Sequence, residues 1–218
     1  MKKVLTALAV AVSLSMATHA WSQTEKPTIV LVHGAFADAS SWNGVVKILE
    51  KDGYPVVAAA NPLRGVKSDG SAISALLTSI HSPVVLVGHS YGGNVISDAA
   101  NDHVNVKALV YVSAFAPEAG ETVAGLAGKF PGSTLGPTLA APVPLADGGK
   151  DLYIQQDKFH TWYIYGDKDK NIPPQAMAFM AKRAAAKAVE VVKGASHVVM
   201  VSNPEPVARL IEKAATAK

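Results

Sequence analysis

Short runs of apolar, mostly β-branched residues alternate along the chain with segments whose apolar residues recur every three or four positions. The first pattern is typical of strands buried on both faces of a parallel sheet, and the second of amphipathic helices. Strands are predicted at Thr28–His33, Pro55–Ala60, Pro83–Gly88, Val106–Ser113, His160–Tyr165 and Ala188–Val192. Helices are predicted at Trp42–Lys51, Ser71–Ile80, Tyr91–Ala100, Pro174–Lys187 and Pro206–Ala217. With right-handed crossovers, this alternation predicts an α/β fold with a doubly wound, mainly parallel six-stranded sheet.

One long stretch, from Ala116 to Phe159, departs from this alternation. It is rich in proline and glycine and has no clear periodicity. Segments of this length without regular structure are usually functional or disordered. We expect an irregular excursion that forms a reduced lid at the carboxyl edge of the sheet. Because neither a repeat nor a linker divides the chain, residues 21–218 are predicted to form a single domain.

Composition narrows the class of protein. The chain has 218 residues, of which 49% are hydrophobic and 17% charged, so it is long and apolar enough to bury a core. There is no cysteine, which excludes disulfides, thiolate nucleophiles and cysteine-based zinc sites. The formal charge is +3, with no long basic run, so we expect no nucleic-acid partner.

The first 20 residues predict a signal peptide. Lys2 and Lys3 form a short basic start, an apolar run follows, and Thr18 and Ala20 supply small residues at a cleavage site. The apolar run is shorter than the roughly 20 residues that span a bilayer, which argues against a stable membrane anchor. We therefore expect cleavage after Ala20 and a periplasmic or secreted protein.

A candidate nucleophile lies between the third strand and the helix that follows it. Gly88-His89-Ser90-Tyr91-Gly92 fits the pattern G-x-S-x-G, in which a tight turn exposes a serine at the edge of a sheet. The pattern alone is weak and is also compatible with a structural glycine-rich turn. Its place between a strand and a helix is what makes Ser90 the candidate.

A serine hydroxyl needs a base, and the base needs an acid to orient it. On this type of sheet the acid and then the histidine follow the serine, each after a later strand. His197 follows the last strand and is the predicted base. Asp167 and Asp169 both follow the fifth strand, and spacing before Ile172-Pro173 favours Asp169.

Two backbone N–H groups are predicted to stabilise an oxyanion. One is that of Tyr91, which follows the serine at a helix N-terminus, where the helix dipole favours an anion. The second comes from the turn His33-Gly34-Ala35-Phe36 after the first strand, and Ala35 is the predicted donor. The alternative is that His33 and Gly34 only shape the exit of the strand.

Together these stretches, with Leu109–Val112 and Ser196-His197 running on to Asn203-Pro204, resemble the α/β-hydrolase superfamily from Pro27 onward. Within it the chain is similar to the compact branch of plant methyl-ester esterases, hydroxynitrile lyases and bacterial carboxylesterases. The lyases carry threonine where this chain has Gly34, and lysine where it has Val198, so the resemblance implies hydrolysis. Relatives also insert a helical cap after the fourth strand. The resemblance implies that this chain lacks most of the cap's helices, so an open active site is expected.

The resemblance and the candidate residues predict a serine carboxylesterase that acts on small-molecule esters without a metal or an organic cofactor. Phe36, Trp42 and Phe115 are the candidate substrate contacts, with core packing as the alternative for each. The same residues also suit a perhydrolase, acyltransferase, lactonase or amidase. The alternative outside enzymes is a non-catalytic binding protein on a hydrolase scaffold. The predicted oligomeric state is a monomer or a homodimer.

Overall fold

The structure is a computed structural model that describes residues 26–133 and 160–217. The predicted signal peptide and much of the predicted lid lie outside these residues, and both stay predictions. The strands are β1 (Thr28–Val32), β2 (Val56–Ala59), β3 (Val84–His89), β4 (Val106–Val112), β5 (His160–Gly166) and β6 (Ala188–Val192). The α-helices are α1 (Asn43–Lys51), α2 (Val66–Thr78), α3 (Gly92–Ala99), α4 (Val123–Gly128), α5 (Pro174–Arg183), α6 (Val199–Ser202) and α7 (Pro204–Thr216).

The strands form one sheet in the order β2-β1-β3-β4-β5-β6, and every pair of neighbours is parallel. The predicted fold class is therefore confirmed. The chain builds the sheet outward in one direction from β1 to β2, and in the other direction from β3 onward. A ligand crevice forms at such a switch point, outside the carboxyl ends of the strands. Here that point lies between β1 and β3.

Alternate residues of each strand supply the two hydrophobic layers. On β1, Val30 and Val32 belong to one layer, whereas Ile29 and Leu31 belong to the other. The first layer also contains apolar side chains of α2, α3 and α5, and the second contains those of α1, α6 and α7. Because helices cover both faces, the strands carry the near-continuous apolar runs that predicted a parallel sheet.

Several element boundaries differ from the predictions. The second helix begins at Val66 rather than Ser71. A single turn of 3₁₀ helix, Ala39–Trp42, precedes α1. The segment predicted as irregular contains α4, whose first turn is capped by the Thr122 hydroxyl, which accepts a hydrogen bond from the Gly125 N–H. A helix of six residues is too short to produce a visible helical period in the sequence.

The segment after β4 is fastened to α5 by a partly buried ion-pair network. The guanidinium of Arg183 donates to both carboxylate oxygens of Glu121, at 2.8 and 2.9 Å, and to the C=O of Ala116 at 3.0 Å. Two-point contacts of this kind fix direction as well as distance. The chain therefore leaves the sheet edge beside the site in a defined direction.

Within the described residues, no helix is long and apolar enough to cross a membrane.

Candidate active site

Ser90 lies on a sharp turn between β3 and α3. Its φ angle is +53°, a left-handed conformation that non-glycine residues rarely adopt and that clusters at functional sites. The flanking glycines make the turn possible. A Cβ atom on Gly88 would lie 2.5 Å from the Gly92 carbonyl oxygen, and one on Gly92 would lie 2.6 Å from that of Val32. The two glycines therefore let the chain pass close to itself and to β1.

Backbone hydrogen bonds hold this turn against the end of β4. The Ser90 N–H donates to the C=O groups of Val112 and Ser113, at 3.3 and 3.2 Å. The Ser90 C=O accepts from the N–H of Gly93 at 3.0 Å and from that of Phe115 at 3.4 Å. The main chain of the serine is thus fixed from both sides, which leaves its hydroxyl as the adjustable part.

Side chains from three strand ends form a row of hydrogen bonds that ends at this hydroxyl. His197 Nε2 lies 2.8 Å from Ser90 Oγ, and His197 Nδ1 lies 2.8 Å from Asp169 Oδ2. A carboxylate only accepts hydrogen bonds, so Nδ1 carries the ring proton and Nε2 is free to accept the serine proton. The Asp169 side chain is fully buried and that of His197 is 12% exposed. This arrangement can activate a hydroxyl for nucleophilic attack.

The second oxygen of Asp169 is also held. Oδ1 accepts hydrogen bonds from the backbone N–H groups of Asn171 and Ile172, at 2.8 and 2.9 Å. Two donors on one oxygen leave the other oxygen for His197. The turn after β5 therefore orients the carboxylate before any substrate binds.

Asp167 is the other candidate acid from the sequence, and its carboxylate contacts a different group. Its Oδ1 accepts from the N–H of Gly194 at 2.7 Å, in the loop between β6 and α6. This loop carries His197. The structure thus brings Asp169 to the histidine ring, whereas Asp167 ties down the loop that presents it.

The turn after β1 passes directly beside the serine. A Cβ atom on Gly34 would lie 2.8 Å from Ser90 Cβ, so a larger residue there would force the serine turn to move. The His33 ring accepts from the Asn61 N–H at Nε2, at 3.1 Å, and its Nδ1 lies 2.9 Å from the Gly34 C=O. Nδ1 must therefore donate. Since C=O and N–H point in opposite directions across a trans peptide, this bond turns the Ala35 N–H away from the His33 ring.

Tyr91, the second predicted donor, is anchored through its side chain. It directly precedes the first residue of α3, and its hydroxyl donates to Asp69 Oδ2 at 2.8 Å. Asp69 is fully buried, and its other oxygen accepts from the Arg64 N–H at 2.9 Å. The residue after the serine is thus tied to the start of α2. Sequence reasoning missed Asp69 and Asn61, because neither belongs to a recognisable motif.

The three candidate substrate contacts have different environments. Phe36 is 80% exposed, with a φ angle of +62°, on the turn beside the serine. Phe115 is almost buried, and its backbone N–H contacts the serine turn. Trp42 is a correction, because its indole has no exposed surface and packs in the core. The 3₁₀ turn before α1 directs this side chain inward, so it cannot touch a substrate in this conformation.

His89 is a site residue that sequence reasoning did not single out. It is 2% exposed, and its Nε2 lies 3.1 Å from the backbone C=O of His197. Burial, followed by the charge of the neighbouring His197, lowers the pKa of His89 to about 3. The signal available in the sequence was its position inside the G-x-S-x-G pattern.

This lowered pKa predicts a loss of stability in acid. His89 has a pKa near 6.5 when unfolded and about 3 when folded, so below pH 6.5 the unfolded chain binds the extra proton. The free energy of unfolding should fall by up to about 1.4 kcal/mol per pH unit between pH 6 and 3 through this group alone. Urea unfolding of the wild type and of His89→Gln, measured from pH 4 to 7, isolates the contribution. If the difference in free energy of unfolding between the two proteins does not change with pH, the prediction is wrong.

We find no candidate metal site within residues 26–133 and 160–217. Such a site would need a group of at least three histidine, aspartate or glutamate side chains.

Comparison with known proteins places the chain in a family. A model of the alpha/beta hydrolase family matches residues 29–162. A carbendazim hydrolyzing esterase from Nocardioides sp. (strain SG-4G) is 33% identical over 113 residues, covering 46% of this chain and 47% of the relative. The chain thus aligns with about half the length of that curated relative.

Solved structures share the fold. Polyneuridine aldehyde esterase superposes with a TM-score of 0.73 at 18% identity, over 86% of this chain and 98% of its own. A pyrethroid hydrolase from Sphingobium faniae JZ-2 gives 0.65 at 24% identity, over 88% and 98%. A methylesterase from Arabidopsis gives 0.67 at 19% identity, over 86% and 98%. At these identities the likeness shows the fold alone. The proteins that share it include a plant methylesterase, as the resemblance in the sequence implied.

Proposed function

Because the chain belongs to the alpha/beta hydrolase family, we propose that it is a serine carboxylesterase that cleaves small-molecule esters through an acyl-enzyme intermediate. The observation that carries the proposal is the pair of 2.8 Å hydrogen bonds that link Ser90, His197 and Asp169. The relative that is named an esterase supports ester hydrolysis in general. The serine mechanism rests on the geometry.

In the first half-reaction, Ser90 Oγ attacks the carbonyl carbon of the ester while His197 Nε2 takes the hydroxyl proton. The developing negative charge on the carbonyl oxygen is stabilised by the backbone N–H groups of Ala35 and Tyr91. Asp169 stabilises the imidazolium that forms on His197. When the C–O bond breaks, His197 returns the proton to the leaving alcohol, and the acyl group stays on Ser90.

In the second half-reaction, water replaces the alcohol. His197 takes a proton from the water, whose oxygen attacks the acyl carbon at the same site. The tetrahedral intermediate collapses, Ser90 Oγ leaves with the proton held by His197, and the carboxylic acid is released. The same histidine therefore acts as base and acid in both halves, which requires it to alternate between neutral and charged forms.

Exposed apolar side chains flank the residues of the candidate site. Phe36 follows the turn that touches Ser90, and Val198 directly follows His197 and is 41% exposed. These side chains suit an acyl or alcohol group with apolar carbon atoms. We therefore expect esters of monocarboxylic acids to be better substrates than esters that carry a charge next to the carbonyl.

Hydrolysis of p-nitrophenyl acetate, butyrate and octanoate by the purified chain tests the proposal. We expect saturable release of p-nitrophenol from at least one of these esters, well above the rate in buffer. Carbendazim belongs in the same assay, because a relative is named for its hydrolysis. Failure of a correctly folded protein to hydrolyse any of them would count against the esterase activity.

A further inference from the structure

The His89 ring lies between the turn after β1 and the ring of His197. A Cβ atom on Gly34 would lie 2.9 Å from His89 Nδ1, so the turn after β1 packs against one edge of the ring. The His197 ring lies against it, with 4.8 Å between the ring centroids and 49° between the planes. Trp42 meets it edge-on, with 6.4 Å between the centroids and 87° between the planes. The ring is therefore in contact with both the turn after β1 and the base.

Within residues 26–133 and 160–217, the His89 ring makes one hydrogen bond, and it is directed at the main chain of the base. Nε2 lies 3.1 Å from the main-chain oxygen of His197, and that oxygen can only accept, so Nε2 carries the proton. Nδ1 is buried and has no partner within the described residues. A buried nitrogen without a partner costs stability, and an apolar side chain of similar size would avoid that cost. The histidine thus needs a reason other than packing.

The segment that carries His197 is packed only in part: Ala195 is buried, and its C=O accepts from the Lys168 N–H at 3.0 Å, but its neighbours are exposed. Lys193, Gly194 and Ser196 are exposed, and Gly194 has a φ angle of +78°. Asp167 holds the start of this segment through the Gly194 N–H. The His89 bond holds its far end, at the very residue whose ring must reach both Ser90 and Asp169. Loss of that bond would remove the support that His89 gives to the C=O of His197.

We propose that His89 is a positioning residue that fixes the main chain of His197, so that the base stays aligned between Ser90 and Asp169. The proposal rests on the proposed function of Ser90 and His197. Because an error of about 1 Å in the position of a catalytic group can cost about 100-fold in rate, one such hydrogen bond is enough to affect turnover. The ring remains neutral while it does this, because burial keeps its pKa far below neutral pH.

A matched pair of variants tests the proposal. The glutamine of His89→Gln has an N–H that can reach the same carbonyl, whereas the methionine of His89→Met has a similar shape and no such donor. With p-nitrophenyl butyrate, we expect His89→Met to lower kcat by about 10-fold to 100-fold with little change in KM. His89→Gln should keep kcat within about fivefold of the wild type. Equal kcat for the wild type and a folded His89→Met would overturn the proposal.

A double-mutant cycle separates positioning of the base from other effects on the site. In the His197→Ala background there is no base to align, so adding His89→Met should change the residual rate less than about twofold. If His89→Met lowers the residual rate by the same factor as in the wild type, His89 acts on the serine turn and the proposal is wrong. Loss of the Ser90 mechanism itself is recognised separately, because the wild type would then be inactive or Ser90→Ala active.

A measurement on the unmodified protein removes any dependence on how the variants fold. Nitrogen-15 NMR of the histidine side chains distinguishes the two neutral tautomers. We expect His89 to be protonated at Nε2 and unprotonated at Nδ1 throughout pH 6 to 8. Protonation at Nδ1 would exclude the hydrogen bond to His197 and overturn the proposal.

Discussion

Ser90→Ala is expected to lower kcat for ester hydrolysis by about 10⁴-fold to 10⁶-fold. The change removes the only atom that can become acylated in the proposed mechanism, while the backbone donors of Ala35 and Tyr91 remain. The residual rate should therefore exceed that in buffer, because the oxyanion site and binding still act. Steady-state kinetics on p-nitrophenyl butyrate measures the loss.

A matched control keeps this result specific. Ser71 is an exposed serine of α2 whose hydroxyl donates to the Lys67 C=O at 2.8 Å, and Ser71→Ala should leave kcat unchanged. Both variants should unfold within a few degrees of the wild type, since neither removes buried apolar surface. A Ser90→Ala protein with more than a tenth of the wild-type kcat would show that another group is the nucleophile.

Asp169→Asn is expected to lower kcat by about 10⁴-fold, the size seen when a comparable acid of a serine protease is changed to its amide. The reason lies in the turn after β5. The N–H groups of Asn171 and Ile172 both point at Oδ1, so they draw the amide oxygen to that side. The amide NH₂ then faces His197 Nδ1, which must accept. The proton moves to Nε2, and the ring can no longer take the proton of Ser90.

Asp167→Asn is the matched control for this prediction. The amide oxygen can still accept from the Gly194 N–H, so the loop that carries His197 stays tethered. We expect kcat within about fivefold of the wild type. If Asp167→Asn proved as damaging as Asp169→Asn, the separation of the two roles would be wrong. Comparing the pH dependence of kcat/KM for both variants checks that the base is affected in one case only.

The strands were predictable because a sheet buried on both faces leaves a near-continuous apolar signal, and all six lie where that signal placed them. Helix starts were less predictable. The residues between Val66 and Ser71 are polar or glycine, and they look like a loop in the sequence. They form helix because the Asp69 carboxylate accepts from the Arg64 N–H and from the hydroxyl of Tyr91, a contact from a distant part of the chain.

The candidate site followed from chain order, since parallel strands bring their carboxyl ends to one edge. Order alone could not separate Asp167 from Asp169, because both follow the same strand. Their carboxylates point to different partners, and only the geometry of the turn decides which reaches His197. The inward direction of Trp42 and the role of His89 depend on contacts between loops, which no local pattern records.

Reaction with diethyl p-nitrophenyl phosphate tests the central claim most directly, because an activated serine is phosphorylated and the product is stable. We predict release of one equivalent of p-nitrophenol per chain, complete loss of esterase activity, and a diethyl phosphate adduct on the peptide that contains Ser90. The adduct should be absent from Ser90→Ala. Full esterase activity after this treatment, or an adduct on another residue that alone abolishes activity, would contradict the account.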